Sequence, residues 1–523
     1  MTTHYAVKTQ SYHDSIKLMS ASAEVRALPG ISQAVAIMGT ESNRLTLAQS
    51  GFANYEQIDA GPEDVILAVQ GRDEQAAKTA LAHFEHLLGV NAQKQAGTAD
   101  VQAPRSIRTA ANTFPSANLA VISVPGEYAA AEAFRALNAD LHVMIFSDNV
   151  SLAEEVALKK LATQKGLLVM GPDCGTAIIN GTSLCFANAI SSGPIGIVGA
   201  SGTGIQEATV LIDRLGSGIS QAIGTGGRDL SDDIGGITAL TGIDLLEKDA
   251  NTAVLLIISK PPGKQTAKKL LERLKSCTKP VVLALLGETH LHDGTDGIYS
   301  GATIEAAVAI TVFIAQGRPQ IAAQHAFSRH ELLDVAKAEA MRIEMGRVFL
   351  RGLYSGGTLA EEARLVLTPI LGRVQSNTAK LPEMRPLNLL VADNNCLIDL
   401  GDDEFTRGRP HPMIDPSYRA TRLQSEYQDP NVAVILCDIV LGYGSHPNPA
   451  EVLASAVKKA RGENKHYVPV VCSVCGTDKD PQNRTQQERL LQDAGIILAP
   501  SNAYAAELAG AMAAICAQRG QTQ

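Results

Sequence analysis

Short apolar runs alternate along the chain with longer segments in which apolar residues recur every three or four positions. Apolar runs at 119–124, 141–146 and 167–170 are separated by helical patterns over 129–137 and 151–165. Short apolar runs between turn residues are typical of buried strands, and strands that alternate with helices predict a parallel sheet. Ligand-binding groups are then expected at the carboxyl ends of those strands.

The first part of the chain has a shorter pattern of its own. Residues 5 to about 92 contain apolar runs together with two helical patterns, D-S-I-K-L-M-S-A-S-A-E-V and D-E-Q-A-A-K-T-A-L-A-H-F-E-H-L-L. This mixture predicts a small α+β domain. The stretch from about 91 to 103 is rich in Ala, Gln, Gly and Thr and predicts a linker that follows the domain.

The rest of the chain contains an internal duplication. G-A-S-G-T-G-I-Q-E-A at 199–208 returns as Y-S-G-G-T-L-A-E-E-A at 354–363, and D-A-N-T-A-V-L-L at 249–256 returns as D-P-N-V-A-V-I-L at 429–436. The separation grows from 155 residues (Thr203 to Thr358) to 180 (Asp249 to Asp429), so the second copy carries an insertion. The sequence therefore predicts two α/β domains of one kind, each opening with a glycine-rich loop between a strand and a helix.

Such a loop is suited to binding anions. A glycine turn that enters a helix leaves backbone N–H groups and the positive end of the helix dipole pointing at one spot. We expect the two loops to close on a single phosphate. The alternative is that small residues only permit tight packing of a strand on a helix, but recurrence in register favours the anion site. The expected phosphate-binding residues are Ser201, Gly202, Thr203, Gly204, Ser355, Gly356, Gly357 and Thr358.

Composition narrows the class of protein. A chain of 523 residues is expected to hold about three or four domains. No apolar run approaches the roughly 18 residues of a membrane span, and the first residues lack the apolar core of a signal peptide, so we expect a cytoplasmic protein without a membrane partner. A net charge of −9, 4% aromatic residues and no tryptophan argue against a nucleic-acid partner.

Cysteine and histidine positions do not predict a metal site. The eight cysteines lie mostly in apolar segments, as reduced core thiols do. The C-x-x-C at Cys472–Cys475 completes a strand, whereas redox motifs of this kind usually open a helix. A polar loop is expected to be solvated because its ligand-like residues lack an ordered spacing; they are His290, His292, Asp293 and Asp296.

Several motifs carry a resemblance to a known enzyme family. V-I-S-V-P-G, M-G-P-D-C-G, G-I-V-G-A-S-G-T and K-P-V-V follow one another within residues 115–310, which resemble the α subunit of succinyl-CoA synthetase. The second copy resembles the C-terminal domain of the β subunit. The resemblance implies a multidomain α/β fold. It would consist of a small α+β domain (1–103), a Rossmann-like CoA-binding-type domain (104–192) and two duplicated flavodoxin-like domains (193–325 and 326–523).

The chain departs from that family at the reaction centre. In the family the two loops hold the phosphate of a phosphohistidine, but the G-H-A-G motif that carries the histidine is here I-Y-S-G, with Tyr299 in its place. A supporting glutamate is replaced by Lys260 in S-K-P-P-G. Tyrosine does not relay a phosphoryl group at neutral pH as imidazole does. No segment resembles an ATP-grasp nucleotide domain, and a different N-terminal domain replaces the first Rossmann strand and its CoA-binding loop.

Over nearly its full length the sequence is similar to the FdrA family. Matching stretches include G-L-L-V-M-G-P-D-C-G-T, L-Y-S-G-G-T-L and G-R-P-H-P-M-I-D-P. The resemblance implies an acyl-CoA synthetase-like protein and a subunit of oxamate carbamoyltransferase in anaerobic allantoin and purine degradation. That enzyme converts oxalurate and phosphate into oxamate and carbamoyl phosphate within a multisubunit complex. Its small-molecule partners are therefore the anions oxamate and carbamoyl phosphate. An oligomer that contains other subunits is also expected.

Carbamoyl transfer needs groups that neutralise charge and bind a carboxylate, for which arginine is suited. We expect Arg228, Arg409 and His411 to be catalytic. The alternative for Arg228 is a solvated ion-pair cluster with neighbouring aspartates, whereas Arg409 and His411 lie in the insertion of the second copy. Further substrate-binding residues are expected at strand ends and in loops: Asp173, Cys174, Gly226, Gly227, Lys260 and Asp415.

Two other functions remain open at this point. One is an acyl-CoA synthetase that works with a separate nucleotide-binding subunit, and the other is a non-catalytic assembly or sensor subunit. No cofactor is expected beyond phosphate and carbamoyl phosphate as substrates, with CoA as an option. The sequence leaves open the carbamoyl acceptor, the required partner subunits, the oligomeric state and the role of the N-terminal domain.

Overall fold

A computed structural model describes most of the chain, in two compact units. One unit contains Met1–Phe114 and Asp402–Asp415, and the other contains Pro115–Gly401 and Pro416–Gln523. Within the described residues, no helix is both long enough and apolar enough to cross a membrane. The described residues are 2–11, 13, 15–40, 43–44, 47, 52, 58–93, 104–287, 292, 294–318, 326–379, 381–386, 388, 394–406, 410–464 and 466–521.

The N-terminal unit is built on a three-stranded antiparallel sheet of strand order β1-β3-β2. One face of the sheet packs on two helices through Val65, Leu67 and Val69, and the other face covers Ile66 and Ala68. This alternation of buried faces is what a period of two along a strand produces. The elements are β1 (Thr2–Lys8), α1 (Ser15–Arg26), β2 (Ile31–Met38), β3 (Val65–Gly71), α2 (Glu74–Gln93) and α3 (Ile107–Thr113).

A segment distant in sequence folds as part of this unit. Residues Asp402–Asp415, with the short helix α12 (Asp403–Thr406), belong to it, although they lie in the insertion of the second copy. Asp415 is buried there and forms an ion pair with Arg26, the last residue of α1. The sequence predicted the small α+β domain but not this addition to it.

The second unit begins with a short parallel sheet of order β4-β5-β6. Strand β4 is its edge, and Val121 on that strand is exposed. The sheet shares one hydrophobic core with the first duplicated domain, since Met144 and Met170 pack in the same cluster as Val198. The elements are β4 (Leu119–Ile122), α4 (Gly126–Asn138), β5 (His142–Ile145), α5 (Leu152–Lys165) and β6 (Val169–Met170).

The first duplicated domain is a seven-stranded sheet of order β13-β12-β11-β9-β10-β7-β8. Strands β9 to β13 are parallel, whereas β7 and β8 form an antiparallel hairpin that pairs with β10. Asn180 and Gly181 both have positive φ at the hairpin turn, which matches the twist of the strands. The elements are β7 (Thr176–Ile179), β8 (Thr182–Cys185), β9 (Ser192–Gly199), α6 (Gly202–Arg214), β10 (Ile219–Gly224), α7 (Ile237–Lys248), β11 (Val254–Ser259), α8 (Lys264–Leu274), β12 (Val281–Leu285), β13 (Ile298–Ser300) and α9 (Ile304–Ala315).

The second duplicated domain is an all-parallel sheet of order β15-β16-β14-β17-β18-β19. Helix α10 (Leu332–Arg342) precedes it. Its elements are β14 (Phe349–Tyr354), α11 (Gly357–Leu371), β15 (Gln375–Ser376), β16 (Cys396–Asp399), α13 (Ser417–Gln428), β17 (Val432–Val440), α14 (Pro449–Glu463), β18 (Val470–Cys475), α15 (Arg484–Asp493), β19 (Ile497–Ala499) and α16 (Asn502–Gln521).

The duplication predicted from the sequence is present in the strand pairing. Strands β9, β11 and β12 are consecutive in one sheet, and their counterparts β14, β17 and β18 are consecutive in the other. In the first sheet Ile257 pairs with Val198, and in the second Cys437 pairs with Leu353. These pairs are related by the same separations of 180 and 155 residues that relate the motifs. The predicted fold class, a multidomain α/β protein with two related parallel domains, is confirmed.

The two duplicated domains cap each other's last helix. Glu207 on α6 accepts a hydrogen bond from the N–H of Asn502, at the start of α16, over 3.1 Å. Its counterpart Glu362 on α11 accepts one from the N–H of Ile304, at the start of α9, over 2.6 Å. The side chain of Asn502 also donates to Glu362 over 2.7 Å. Both glutamates are buried, so each domain supplies an acceptor that the other domain's helix needs.

A buried ion cluster joins the short sheet to the first duplicated domain. The ammonium group of Lys159 donates to Glu155 over 2.8 Å, to Asp229 over 2.7 Å and to the carbonyl of Thr225 over 3.1 Å. Asp229 also accepts the N–H groups of Thr238 and Ala239 at the start of α7. The side chains of Lys159, Glu155 and Asp229 are all buried, so these charges depend on one another for compensation.

We expect Lys159→Met to destabilise the second unit by about 3–5 kcal/mol, because it leaves the buried carboxylate of Asp229 without a cation and Glu155 with Arg228 alone. The measurement is chemical denaturation followed by circular dichroism. The matched control is Lys160→Met on the exposed face of the same helix, which should shift the transition by less than about 0.5 kcal/mol. Equal shifts for the two variants would contradict the prediction.

The pKa of Glu362 also generates a prediction about stability. Burial raises this pKa from its ordinary value of 4.5 to about 7. The folded protein therefore holds the proton more tightly than the unfolded chain, and the resulting stabilisation is full below about pH 4.5 and lost as the pH rises to about 7. A difference of this size corresponds to about 3 kcal/mol.

We expect Glu362→Gln to abolish this loss. Between pH 4.5 and 7.5, the unfolding free energy of the variant should rise relative to wild type by about 3 kcal/mol. Denaturation curves at a series of pH values measure it. Glu451→Gln, at an exposed position of α14, is the control and should leave the pH dependence unchanged. A pH profile shared by wild type and Glu362→Gln would rule out this role for Glu362.

Candidate functional site

The starts of helices α6 and α11 meet in direct contact. Ser201 is the N-cap of α6, where its Oγ accepts a hydrogen bond from the N–H of Gly204 over 3.0 Å. The same hydroxyl donates to Oγ1 of Thr358, in the first turn of α11, over 2.5 Å. A Cβ atom at Gly356 would lie only 2.4 Å from Cγ2 of Thr203. Glycine is therefore required at position 356 for the two helix starts to come this close.

This contact brings two positive helix ends together. Unpaired N–H groups at each helix start carry partial positive charge, and two such ends repel unless an anion lies near them. Gly356 is the N-cap of α11 and provides no side-chain acceptor, so the donors of that helix start have no side-chain cap. The structure thus brings together Ser201, Gly202, Thr203 and Gly204 with Gly356, Gly357 and Thr358, as an anion site requires.

A lysine and an aspartate flank the start of α11. A Cβ atom at Gly357 would lie 3.0 Å from Nζ of Lys260 and 2.8 Å from Oδ2 of Asp399. Lys260 follows the carboxyl end of β11, and Asp399 ends β16, so both side chains come from the strand edge at which parallel sheets bind ligands. Lys260 was predicted as a substrate-binding residue, and its ammonium group places a cation beside the helix start.

Thr176 adds a polar group on the other side. A Cβ atom at Gly202 would lie 3.1 Å from Oγ1 of Thr176. This hydroxyl is buried and has no hydrogen-bond partner in the described part of the chain. Thr176 begins β7, directly after the G-P-D-C-G loop, and was not among the predicted site residues.

The G-P-D-C-G loop meets the loop that follows β10. A Cβ atom at Gly226 would lie 2.2 Å from the carbonyl oxygen of Pro172, and one at Gly227 would lie 3.5 Å from Oδ2 of Asp173. Gly226 has φ of +83°, which favours glycine. Burial raises the pKa of the Cys174 thiol to about 12, so Cys174 is protonated at neutral pH and is not a nucleophile. The predicted residues Asp173, Cys174, Gly226 and Gly227 thus lie together.

Arg228 has different neighbours from those expected. It donates to the carbonyl of Val150 over 2.8 Å and pairs with Glu155 over 2.9 Å, and 48% of its side chain is exposed. The adjacent Asp229 pairs with Lys159 instead, and Asp232 accepts the N–H of Thr266. Arg228 thus pairs with Glu155 and not with the neighbouring aspartates of the alternative interpretation, and its catalytic role stays a prediction.

The residues predicted in the insertion fall in the N-terminal unit. His411 uses Nδ1 to accept the N–H of Met413 over 3.2 Å, and its carbonyl accepts the N–H of Asp415 over 3.0 Å. The carboxylate of Asp415 pairs with Arg26, and its expected role in substrate binding stays a prediction. Arg409 lies outside the described residues.

Ser355 has its polar groups directed away from the helix contact. Its N–H and its hydroxyl both donate to Oδ1 of Asp438, each over 3.0 Å. Nη1 of Arg419 donates to Ser355 Oγ over 2.6 Å and to Asp438 Oδ1 over 2.7 Å. Ser355 thus has Asp438 and Arg419 as partners, and its expected role as a direct phosphate ligand stays a prediction. Sequence reasoning missed both partners, although an aspartate inside the apolar run V-A-V-I-L-C-D-I-V was a signal for Asp438.

Tyr299 stands on the edge strand β13 and is half-buried. Its ring packs on the loop before it, where a Cβ atom at Gly294 would lie 2.2 Å from Cε1. In that loop the N–H of His292 donates to Oγ of Ser300 over 3.1 Å, while His290 and Asp293 lie outside the described residues. The described part of the chain has no group of three or more His, Cys, Asp or Glu side chains that could hold a metal ion.

Three family models match parts of the chain. A CoA-ligase model matches residues 353–512, and a CoA binding domain model matches residues 191–286. A model described as the heavy metal-associated domain of AllF matches residues 1–104. The CoA binding match thus begins near β9 and its glycine loop, within the region that the sequence assigned to the first duplicated domain.

Individual relatives agree with these matches. The uncharacterized protein YahF of Escherichia coli strain K12 is 42% identical over 96% of this chain and 97% of its own length. The succinate–CoA ligase [ADP-forming] subunit alpha 1 of Archaeoglobus fulgidus is 27% identical over 36% of this chain and 65% of that subunit. The malate–CoA ligase subunit alpha of Methylorubrum extorquens is 31% identical over 25% of this chain and 44% of that subunit.

Among solved structures, a dinucleotide-forming acetyl-coenzyme A synthetase 1 from Ca. Korarchaeum cryptofilum, in complex with phosphate and ADP, aligns with this chain. The alignment covers 81% of this chain and 88% of that one, at 16% identity and a TM-score of 0.30.

The residues present do not fit a heavy metal in the N-terminal domain. Sites for soft metals use thiolate ligands, but the first cysteine of the chain is Cys174, beyond the matched residues 1–104. The two stacked histidine rings of that domain, His83 and His86, lie in a described region without a metal-holding group. We therefore assign no metal chemistry to it.

The helix starts of the short parallel sheet differ in what they offer to CoA. Rossmann-type folds bind a diphosphate at the start of a helix. Helix α4 starts at Gly126, where a Cβ atom would lie 2.2 Å from the carbonyl oxygen of Asp148. Helix α5 is closed by its own capping box of Ser151 and Glu154. The start of α5 is therefore closed to a diphosphate, whereas the start of α4 has no side-chain cap and is crowded by a main-chain carbonyl.

We expect Gly356→Ala to force the two helix starts apart, because the added methyl group overlaps Thr203. Overpacking of this kind typically costs about 1–3 kcal/mol, measured by thermal unfolding. Gly462→Ala is the control: its Cβ meets no atom within 4 Å, and alanine in that helix stabilises by up to about 1 kcal/mol. A Gly356→Ala protein as stable as wild type would show that the helix starts are not in close contact.

Proposed function

The chain belongs to the family of Escherichia coli YahF, with duplicated domains of the CoA-ligase, succinyl-CoA-synthetase-like type and an N-terminal domain of the AllF type. From this premise we propose that it is a subunit of an oxamate carbamoyltransferase in anaerobic allantoin degradation. The enzyme would convert oxalurate and phosphate into oxamate and carbamoyl phosphate. We propose the paired helix starts as the phosphate site, within a cytoplasmic complex that contains other subunits.

The position of Lys260 carries this proposal. Its ammonium group lies beside the uncapped start of α11, where the phosphohistidine family has a supporting glutamate. A cation at this point favours a phosphate dianion and offsets the repulsion from the carboxylate of Asp399, which flanks the same helix start. Tyr299 replaces the histidine that would otherwise carry the phosphoryl group. Together these changes support a phosphate that enters the reaction directly.

The proposed reaction needs no covalent enzyme intermediate. An oxygen of hydrogen phosphate attacks the carbamoyl carbon of oxalurate, and the bond from that carbon to the shared nitrogen breaks. The phosphate proton moves to this nitrogen, which leaves as the amide of oxamate. The helix starts and Lys260 would hold the phosphate in place and neutralise its charge, which lowers the barrier through positioning and electrostatic stabilisation.

A second candidate is supported by the family matches. The CoA-ligase and CoA binding domain models and the succinate–CoA ligase relatives favour an acyl-CoA synthetase that works with a separate nucleotide-binding subunit. This candidate needs a phosphoryl carrier other than residue 299. It also needs a site for CoA outside the capped start of α5.

One assay separates the two candidates. The purified chain, alone and with the proteins that co-purify with it, is mixed with oxamate and carbamoyl phosphate, and release of phosphate is followed together with formation of oxalurate. A parallel mixture contains ATP, CoA and succinate. We expect equal amounts of phosphate and oxalurate in the first mixture and no CoA ester in the second. The reverse result would replace the proposal with the acyl-CoA synthetase.

Within this assay, we expect Lys260→Gln to lower kcat/KM for carbamoyl phosphate by 10- to 100-fold. This corresponds to the loss of about 1.5–3 kcal/mol from one hydrogen bond to a charged group. Lys264→Gln, at an exposed position four residues later, is the control and should stay within about twofold of wild type. Undiminished activity of Lys260→Gln would remove the observation on which the proposal rests.

A further inference from the structure

The second glycine loop is held by a buried polar triad, which we define as Ser355, Arg419 and Asp438. Ser355 directly precedes Gly356, the N-cap of α11, and each member of the triad is at most 2% exposed. Arg419 comes from α13 and Asp438 from β17. Besides the contacts with Ser355, Arg419 Nη1 donates to the carbonyl oxygen of Asp438 over 2.6 Å. The triad thus connects helix α13 and strand β17 to the second glycine loop.

The duplication supplies an internal comparison for the triad. Helices α7 and α13 span Ile237–Lys248 and Ser417–Gln428, a separation of 180 residues at both ends. The same separation relates Ile258 to Asp438 and Ala239 to Arg419, and the separation of 155 relates Ala200 to Ser355. All three counterparts in the first copy are therefore apolar: Ala200, Ala239 and Ile258.

The first copy forms the same loop without the triad. There the N–H of Ala200 donates to the carbonyl of Ile258 over 2.9 Å, so the main chain alone holds the loop. In the second copy the N–H of Ser355 donates instead to the side chain of Asp438. Folding of a loop of this kind therefore does not require a serine, an arginine and an aspartate.

Stability does not account for the triad either. Replacing a buried ion pair by apolar residues of similar volume is often neutral or stabilising. The triad also leaves hydrogen-bonding capacity unused, since Nε of Arg419 and Oδ2 of Asp438 have no partner in the part of the chain that the structure describes. Burial raises the pKa of Asp438, while Arg419 opposes that rise. The triad leaves buried polar atoms without partners within the described ranges and is present in the second copy alone. Its presence therefore points to a function of the second glycine loop.

We infer that Arg419 and Asp438 are positioning residues for anion binding by the second loop. They fix Ser355 and thereby set the direction of the N–H groups of Gly357 and Thr358, on the side of the site that Lys260 flanks. The two loops then have different roles: the first is a fixed part of the fold, and the second is adjusted to the anion. This inference rests on the phosphate site of the proposed function.

The test compares phosphate affinity in variants by isothermal titration calorimetry with inorganic phosphate. Arg419→Met with Asp438→Val removes both charges together at a similar total volume, so no buried charge is left alone. We expect an unfolding midpoint equal to or above that of wild type and a phosphate Kd at least tenfold weaker. Arg419→Lys retains the charge but loses the planar fork, and its Kd should lie between those of wild type and the double variant.

Tyr354→Phe is the matched control. Tyr354 precedes Ser355, and its buried hydroxyl has no partner among the described residues, so its removal should leave the phosphate Kd unchanged. If the double variant does not fold, Arg419→Lys alone decides, and wild-type affinity in that variant would overturn the inference. A folded double variant with wild-type affinity would also overturn it.

The result also distinguishes this inference from the proposed function. A wild-type protein that binds phosphate but transfers no carbamoyl group would overturn the function and leave the role of the triad supported or refuted by the same Kd values. A wild-type protein that binds no phosphate would overturn both.

Discussion

The exchange of helix caps between the duplicated domains is the constraint on which the candidate site depends. Glu207 and Glu362 lie one turn after the two glycine loops, on the same helices whose starts meet at Ser201 and Thr358. Because each glutamate is fixed to the last helix of the other domain, neither α6 nor α11 can move along its axis without breaking a buried hydrogen bond. These hydrogen bonds therefore keep the two helix starts in contact. The glycines at the helix starts leave room for that contact.

Part of this arrangement was predictable from local sequence. The period of apolar residues predicted the α/β layers, and the repeated G-A-S-G-T-G and Y-S-G-G-T-L motifs predicted two strand-to-helix loops, because glycine and small residues at a strand end have few other uses. The two copies were identified from the same repeats, and the residue pairing of Ile257 with Val198 and Cys437 with Leu353 follows the predicted separations.

Other features depended on contacts that no local pattern contains. Arg228 stands next to three aspartates in sequence, but it pairs with Glu155 on a helix more than 60 residues earlier. Asp415 forms an ion pair with Arg26, which lies on the first helix of the chain. Ser355 in the second loop was expected to bind the phosphate. Its hydroxyl instead donates to the carboxylate of Asp438 and accepts a hydrogen bond from the guanidinium of Arg419. In each case a buried carboxylate, that of Glu155, Asp415 or Asp438, pairs with a cation that compensates its charge, wherever that cation lies in the sequence.

The relatives of CoA-ligase type match only part of this chain. The matched succinate–CoA ligase and malate–CoA ligase chains are named as alpha subunits, which correspond to part of this chain. Here both duplicated domains belong to one polypeptide and to one compact unit. The chain between them therefore links the two helix starts covalently. Their effective concentration is set by the length of that chain, so their contact does not depend on protein concentration.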